Sequence, residues 1–366
     1  MSRKSDDYFM GIALDLAKAT PHRTSPNPTV GCVVVKGGEV IAQGVTLPAG
    51  QSHAEIVALE TAGAAAEGAE MFVTLEPCSH TGRTPPCTAA IINAKLKRVV
   101  AGVIDPNPLV NGRGMAILNA AGIKTNVGVL GDACAAHLAP FRCYILKKRP
   151  WVILKAAVSI DGRIATQAGH SQWITGEEAR ADVHQLRARA DAVMVGAETA
   201  RVDDPRLTVR HVTGEDPRRV VVSTDANLDP KANLLGTGAI VLHGRNAPQS
   251  RLDALAKTGT ELVAISVTDQ GLDLAEGLSA LADRHIVSLL VEGGGALHGS
   301  LLGAGLADEG VFYIAPKLIG RGRPVIDQPS VSTINHGWRL DPVDITPMGD
   351  DVRLRGLIEY PDEETN

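Results

Sequence analysis

Residues 53–87 read HAEIVALETAGAAAEGAEMFVTLEPCSHTGRTPPC. Within them His53 offers an imidazole, Cys78 and Cys87 offer thiolates, and Glu55 places a carboxylate two positions from the histidine. Three protein ligands leave a tetrahedral Zn²⁺ one position for water, the arrangement of a catalytic site; a structural site closes all four. Zinc lowers the pKa of such a water, and a nearby carboxylate can carry its protons. The same stretch sets the local fold. His53 opens an alanine-rich helix running to about Ala66, Glu70–Leu75 is a buried-type strand, and Cys87 begins another helix behind Pro85-Pro86. His53 and Cys87 therefore both stand at predicted helix N-termini, where the dipole helps keep a thiol ionised.

His-x-Glu followed by Pro-Cys and a second Cys is the pattern of zinc deaminases, in which the Glu moves protons and is not a ligand. It implies removal of an amino group from a heterocyclic base. One departure stands out: eight residues, Ser79 to Pro86, separate the cysteines where the usual pattern has two. A closed structural zinc module, with His80 as fourth ligand, is the alternative. Cys32, Cys134 and Cys143 read as packing residues.

Working outward, residues 7–19 carry apolar side chains at helical spacing, and Thr20–Pro28 is a proline-rich loop. Thr29–Lys36 is a valine-rich strand that turns at Gly37-Gly38 into Val40-Ile41-Ala42. Strand Arg98–Val103, helix Gly114–Ala121, strand Ile123–Val129 and helix Gly131–Leu146 complete a layered α/β domain, 1–146. Lys147-Lys148-Arg149-Pro150 is the expected linker, and 151–366 the second domain. There, strands at Trp151–Val158, Ala192–Val195, Arg219–Ser223, Ala239–His243, Leu262–Val267 and Val287–Glu292 alternate with helices at Glu177–Arg189, Leu252–Lys257, Leu272–Asp283 and Ala296–Ala304. Strand patterns at Val311–Ile314 and Val352–Ile358 close it.

In that second half, the strand Leu289-Leu290-Val291-Glu292 runs into Gly293-Gly294-Gly295 and then a helix. Such a turn lets backbone N–H groups approach a phosphate, although close helix–strand packing explains glycines as well. Asp203-Asp204 could hold ribose hydroxyls, with Asp204 equally suited to a capping turn, and Arg206 or Arg210 could hold a phosphate.

Composition excludes several classes. Five cysteines, an odd number, and a polar N-terminus point to a reducing cytoplasm, not a disulfide framework or secretion. No apolar run is long enough to span a bilayer. Residues 1–148 hold 14 Lys+Arg against 11 Asp+Glu, or +3, so the rest of the chain carries −8 to give the net −5. With 3% aromatic residues, neither half has the basic, stacking surface of a polynucleotide binder. A small phosphorylated substrate is the expected partner, with no nucleic acid and no membrane, and a homo-oligomer is the expected assembly.

Pro26-Asn27-Pro28, Val30-Gly31-Cys32, His53-Ala54-Glu55, Glu76-Pro77-Cys78-Ser79-His80, Gly82-Arg83-Thr84-Pro85-Pro86-Cys87 and Asp105-Pro106-Asn107-Pro108 together resemble the bifunctional deaminase–reductase family of riboflavin biosynthesis. In that family the longer loop between the cysteines is normal. The resemblance extends to the second half through Lys155-Ala156-Ala157, the stretch from Ser171 to Gly176, Gly196–Arg210 and the glycine turn. It implies a three-layer cytidine-deaminase-like domain followed by a dihydrofolate-reductase-like α/β domain. The implied reactions are zinc-dependent deamination of 2,5-diamino-6-ribosylamino-4(3H)-pyrimidinone 5′-phosphate and then NADPH-dependent reduction of its ribosyl group to ribityl. His53, Cys78 and Cys87 are the implied zinc ligands and Glu55 the proton carrier. Asn27, His80 and the 82–86 loop would shape the pyrimidine pocket. Ala157, Trp173, Thr199, Asp203, Ser223 and the run Gly294, Gly295, Ala296, Leu297, His298, Gly299, Ser300 would line NADPH. Ser171, Arg187, Leu207, Arg210 and Glu292 would touch the substrate, with Lys155 near the ribose and Asp203 at the reacting end. The contact to a 2′-phosphate does not follow from sequence; Arg245 is a candidate. A base deaminase acting on nucleosides or tRNA, with a nucleotide-binding but non-reducing second domain, is the other reading.

Overall fold

A computed structural model describes residues 4–20, 23–81, 85–327 and 331–361. The chain divides into two compact units, Met1–Lys148 and Arg149–Asn366.

The first unit begins with α1 (Asp6–Lys18), capped by the Ser5 hydroxyl accepting the Tyr8 N–H. Strands β1 (Gly31–Lys36) and β2 (Glu39–Val45) form an antiparallel hairpin. Its turn needs Gly37 and Gly38, whose φ values of 63° and 85° are left-handed. Then follow α2 (Ala54–Ala62), β3 (Glu70–Leu75), α3 (Cys87–Asn93), β4 (Arg98–Val103), α4 (Arg113–Ala120), β5 (Lys124–Val127), α5 (Gly131–His137) and α6 (Ala139–Lys147). The sheet order is β2-β1-β3-β4-β5, with β3, β4 and β5 parallel. Strand alternation makes the three layers. Cys32, Val34, Met71 and Val73 face α2, α3 and α4 through Ala58, Ile91 and Leu118, whereas Val33, Val35, Phe72 and Val100 face α1 through Phe9, Met10 and Ala13. The helix expected over 131–146 is two helices, broken at Leu138, because Pro140 occupies the first turn of α6 and cannot continue an incoming helix.

The second unit runs β6 (Trp151–Ser159), β7 (Arg163–Thr166), α7 (Glu177–Arg189), β8 (Ala192–Gly196), α8 (Ala197–Asp203), β9 (Arg218–Val222), β10 (Ala239–Gly244), α9 (Gln249–Ala256) and β11 (Glu261–Ile265). A small hairpin of β12 (Val267–Thr268) and β13 (Gly271–Leu272) precedes α10 (Leu274–Ala282), β14 (Ser288–Val291), α11 (Gly295–Gly303), β15 (Glu309–Ala315), β16 (Gly322–Pro324), β17 (Arg339–Met348) and β18 (Asp351–Glu359). Nine strands form one sheet in the order β11-β10-β9-β8-β14-β6-β15-β18-β17, parallel from β11 to β15 and antiparallel beyond. Its near-continuous apolar strands are buried on both faces, as a helix-covered parallel sheet requires. Met194, Val220 and Leu242 pack toward α10 and α11, and Val193, Val195, Val221 and Val241 toward α8 and α9.

Helix α8, edge strand β17 and the short strands β7, β13 and β16 were not legible in the sequence. Helix α8 has one buried side chain, Ala200, so it carries almost no periodicity. Edge strand β17 is mostly exposed, contains two prolines and has a register shift between Leu340 and Val343, which together blur its alternation. In the 147–150 segment, Lys147 is still helical and Arg149 is buried against Asp308, with fork hydrogen bonds of 2.6 and 2.9 Å.

Candidate active sites

The metal-ligand set in the first unit is assembled at element ends. His53 is the N-cap of α2, in extended conformation, and leaves Glu55 in the first helical turn. Cys78 lies three residues beyond β3, and Cys87 opens α3 behind Pro86. Nδ1 of His53 is 3.6 Å from Sγ of Cys78 and 3.3 Å from Sγ of Cys87, and the Cys87 N–H donates to Sγ of Cys78 at 3.2 Å. All three donor atoms lie within 4.8 Å of one another. A hydrogen bond with Cys87 holds the Cys78 thiol down at about 4, against its burial and with help from His53. The same bond, then burial and the Glu55 charge, pushes the Cys87 thiol up. Two adjacent thiolates oppose each other in this way until a divalent cation joins them. One nitrogen and two sulfurs at these distances suit zinc. Among the described residues the cluster contains these three side chains and not His80.

Glu55 is buried, and burial first, then the Cys78 charge, raises its carboxyl to about 7. A carboxyl titrating near neutrality can both take and return a proton. It opens, with His53, Cys78, Asn27 and His80, on a cavity of about 300 Å³. The buried Nδ1 of His80 has no protein partner. Gly82, Arg83 and Thr84 of the pocket loop lie outside the described residues. Sequence reasoning assigned no role to Glu76 or Asp105. The Glu76 carboxylate is buried and accepts N–H groups from Asp105 (3.1 Å), Gly112 (2.8 Å), Gly114 (2.8 Å) and Met115 (3.3 Å), tying the strand end that carries Cys78 to the 105–115 loop. Gly114 is required there, since a Cβ would stand 2.2 Å from the carbonyl oxygen of Pro77. Asp105, on the cavity wall, is raised to about 6, chiefly by burial. The signal for both was their place in the quoted motifs, Glu76-Pro77-Cys78 and Asp105-Pro106-Asn107-Pro108.

The second unit holds a cavity of about 1120 Å³ at the carboxyl ends of β6, β8 and β14. That exceeds a single drug-sized pocket, and so has room for two ligands. Lys155 and Ala157 reach it from β6, Ser171 and Trp173 from the loop between β7 and α7, and Thr199 and Asp203 from α8. Leu207, Arg210, Arg187 and Glu292 complete one wall. Glu292 accepts from Arg187 at 2.6 and 2.9 Å and from Lys155 at 3.4 Å. Burial alone would raise its carboxyl, but the charges of Lys155 and Arg187 hold it down at about 2. Trp173 is exposed, with the Arg180 guanidinium 4.8 Å over its ring.

Of the glycine-turn run, Gly294, Gly295, Ala296 and Leu297 line the cavity. A Cβ at Gly295 would stand 2.4 Å from the carbonyl oxygen of Pro324, so only glycine fits where the turn meets β16. The rest of the run leads away along α11 and is not in the lining. His298 is fully buried, its ring nitrogens 3.3 and 3.4 Å from the carbonyl oxygens of Val325 and Val291. Gly299 is buried, and Ser300 is exposed and donates to the Ala296 carbonyl at 2.9 Å. Ser223 is buried past the end of β9, outside the lining, and its hydroxyl has no protein partner. Asp203 and Asp204 both line the cavity, and Asp204 is engaged there by Asn233, whose backbone N–H and Nδ2 both donate to it. Arg245 pairs with Glu276 and is not in the lining, so nothing places it at a 2′-phosphate. The cradle of helix N-terminus, glycine backbone and large cavity fits a dinucleotide such as NADPH.

Residues 3–103 match the family described as the cytidine and deoxycytidylate deaminase zinc-binding region, and residues 150–354 match the RibD C-terminal domain. The chain is 39% identical over 356 residues to the riboflavin biosynthesis protein RibD of Aquifex aeolicus, covering 96% of this chain and 98% of that one. It is 38% identical to the protein of the same name from Escherichia coli, covering 95% and 98%. Among solved structures, Acinetobacter baumannii RibD superposes with a TM-score of 0.87 at 37% identity, covering 97% of this chain and 99% of that one. A diaminohydroxyphosphoribosylaminopyrimidine deaminase/5-amino-6-(5-phosphoribosylamino)uracil reductase from Thermotoga maritima gives 0.84 at 34%, with the same coverage. The first unit is thus cytidine-deaminase-like, the second dihydrofolate-reductase-like, the cofactors are zinc and NADPH, and the chain belongs to the RibD family of bifunctional riboflavin-biosynthesis deaminase–reductases.

Proposed function

We propose that the two cavities perform the family's consecutive steps on one phosphorylated pyrimidine, with the residues named above in the following roles. The observation that carries the first step is the buried Glu55 carboxyl beside the His53, Cys78 and Cys87 donor set on one small cavity. Zinc, when bound, supplies Lewis acidity that makes water nucleophilic at neutral pH. His53, Cys78 and Cys87 would hold the metal, and the Glu55 carboxyl would carry a proton from the attacking water to the departing amino group. Asn27 offers both a donor and an acceptor to the base edge, and His80 closes the same pocket.

In the second unit NADPH, when bound, supplies the hydride that converts ribosyl to ribityl. The α11 N-terminus and the Gly294-Gly295 backbone receive its diphosphate, with Ala157, Trp173, Thr199 and Asp203 along its length. Lys155 and Arg187, held by Glu292, present positive charge to the sugar, and Arg210 reaches the phosphate from the loop after α8. Ser223, His298, Gly299 and Ser300 lie outside the cavity lining and take no part in this reading. Among the described residues no helix is long and apolar enough to cross a membrane. A cytoplasmic homo-oligomer completes the reading, and the acidic balance and scarce aromatic residues support the absence of a nucleic-acid partner.

The test is a split assay of ammonia release and NADPH oxidation with wild-type and Glu55→Gln. Removing a general acid–base lowers deamination by about 10²-fold or more, while zinc content and oxidation of NADPH on pre-deaminated substrate persist. Normal ammonia release by the variant would refute the role of Glu55. Ammonia without NADPH oxidation in wild-type would favour the reading in which the second unit only binds nucleotide.

A further inference from the structure

The loop after α8 brings Leu207 and Arg210 to the larger cavity. Leu207 (φ 54°) and His211 (φ 67°), at either side of this segment, are both left-handed, a conformation that side-chain-bearing residues keep only when their surroundings impose it. Helix α7 imposes it at two points. Nη1 of Arg187 donates to the Thr208 carbonyl at 3.0 Å, and Nδ1 of His184, three residues earlier on α7, accepts the N–H of Arg210 at 3.0 Å. Residues 208 and 210 thus present an acceptor and a donor to the same partner, as alternate residues of an extended strand do. Arg187 is itself anchored by the buried Glu292. His184 is buried, lines the cavity and stands edge-on to His211 at 5.3 Å between ring centres.

We propose that His184 is a positioning residue of the reductase step: through Nδ1 it fixes the backbone of Arg210, and so the loop that carries Arg210 to the phosphorylated substrate. This rests on the reductase reading given above. Acceptance at Nδ1 requires a neutral ring protonated on Nε2. Burial, followed by the positive charges of Arg187, Arg210 and His211, keeps the His184 imidazolium pKa down at about 4, so the ring is neutral at pH 7.

The experiment compares full-length wild-type, His184→Asn, His184→Gln and His184→Leu in NADPH oxidation with pre-deaminated substrate. Asparagine puts an amide oxygen near the place of Nδ1, whereas glutamine puts its polar end near Nε2, so equal chemistry is offered at two reaches. Losing one ordering hydrogen bond corresponds to about a tenfold rise in substrate KM. That rise is expected for His184→Leu and His184→Gln with kcat within about twofold of wild-type, and KM for His184→Asn should return to within about threefold. NADPH affinity, read by fluorescence titration, and ammonia release by the other unit should be unchanged in all. Equal defects in the Asn and Gln variants, an unaltered KM in the Gln variant, or a fall in kcat at constant KM would overturn the proposal. Should the Leu variant fail to bind NADPH through misfolding, the Asn–Gln comparison decides alone. A wild-type chain that oxidises no NADPH would instead sink the reductase reading, and the proposal with it.

Discussion

Glu292→Gln tests the electrostatic core of the second unit. The Glu292 carboxylate accepts three hydrogen bonds from two cations while its side chain is only 8% exposed. A glutamine keeps the shape but loses the charge, and its amide NH₂ confronts the donors of Arg187. Its carboxyl is lowered from 4.5 to about 2 in the folded chain, a shift worth about 3 kcal/mol of stability at pH 7. Because the folded-state pKa is the depressed one, the contribution is complete above about 4.5 and is lost as pH falls toward about 2. The difference between wild-type and variant should therefore shrink by roughly 1 kcal/mol between pH 7 and pH 3.5. Urea unfolding followed by tryptophan fluorescence reads the correct unit, since the three tryptophans, Trp151, Trp173 and Trp338, all lie in Arg149–Asn366. With a typical urea slope the midpoint should drop by about 1 M at pH 7. A drop below about 0.3 M, or an equal drop at both pH values, would show that Glu292 is not a stabilising charge partner.

Cys78→Ser and Cys87→Ser should each lose most of the bound zinc, measured by plasma emission, with a lower melting temperature for the first unit; one zinc per chain in both variants would overturn the ligand set. Glu76→Ala strips an acceptor from four N–H groups, three of them buried. At about 1–3 kcal/mol for each unsatisfied group, ammonia release should fall at least tenfold while NADPH oxidation is untouched, and an unaltered deamination rate would contradict the bracing role. Arg149→Ala should destabilise the second unit by about 3–5 kcal/mol because Asp308 stays buried, whereas the pair Arg149→Met with Asp308→Leu should cost much less. The same fluorescence-detected unfolding distinguishes the two.

Much of this protein is written locally in its sequence. The zinc-ligand set needs only that a strand end and two helix starts converge, and His53, Cys78 and Cys87 each carry their local signal of proline, helix onset or apolar strand. The parallel strands are legible because burial on both faces demands uninterrupted Val, Ile and Leu. The glycine turn is legible as three glycines between an apolar strand and a helix, although the contact that demands glycine at 295, the Pro324 carbonyl, is tertiary. What the sequence could not reveal depends on contacts between residues far apart in the chain. Whether a residue of the glycine-turn run reaches the cavity depends on the direction of α11, which turns His298 into the core and Ser300 to solvent. The bracing of the 105–115 loop by Glu76, the commitment of Arg245 to Glu276 and the grip of His184 on Arg210 are likewise tertiary facts. Propensity and periodicity report which face a residue shows its neighbours in sequence; hydrogen bonds between distant segments leave no such period, and only the folded chain discloses them.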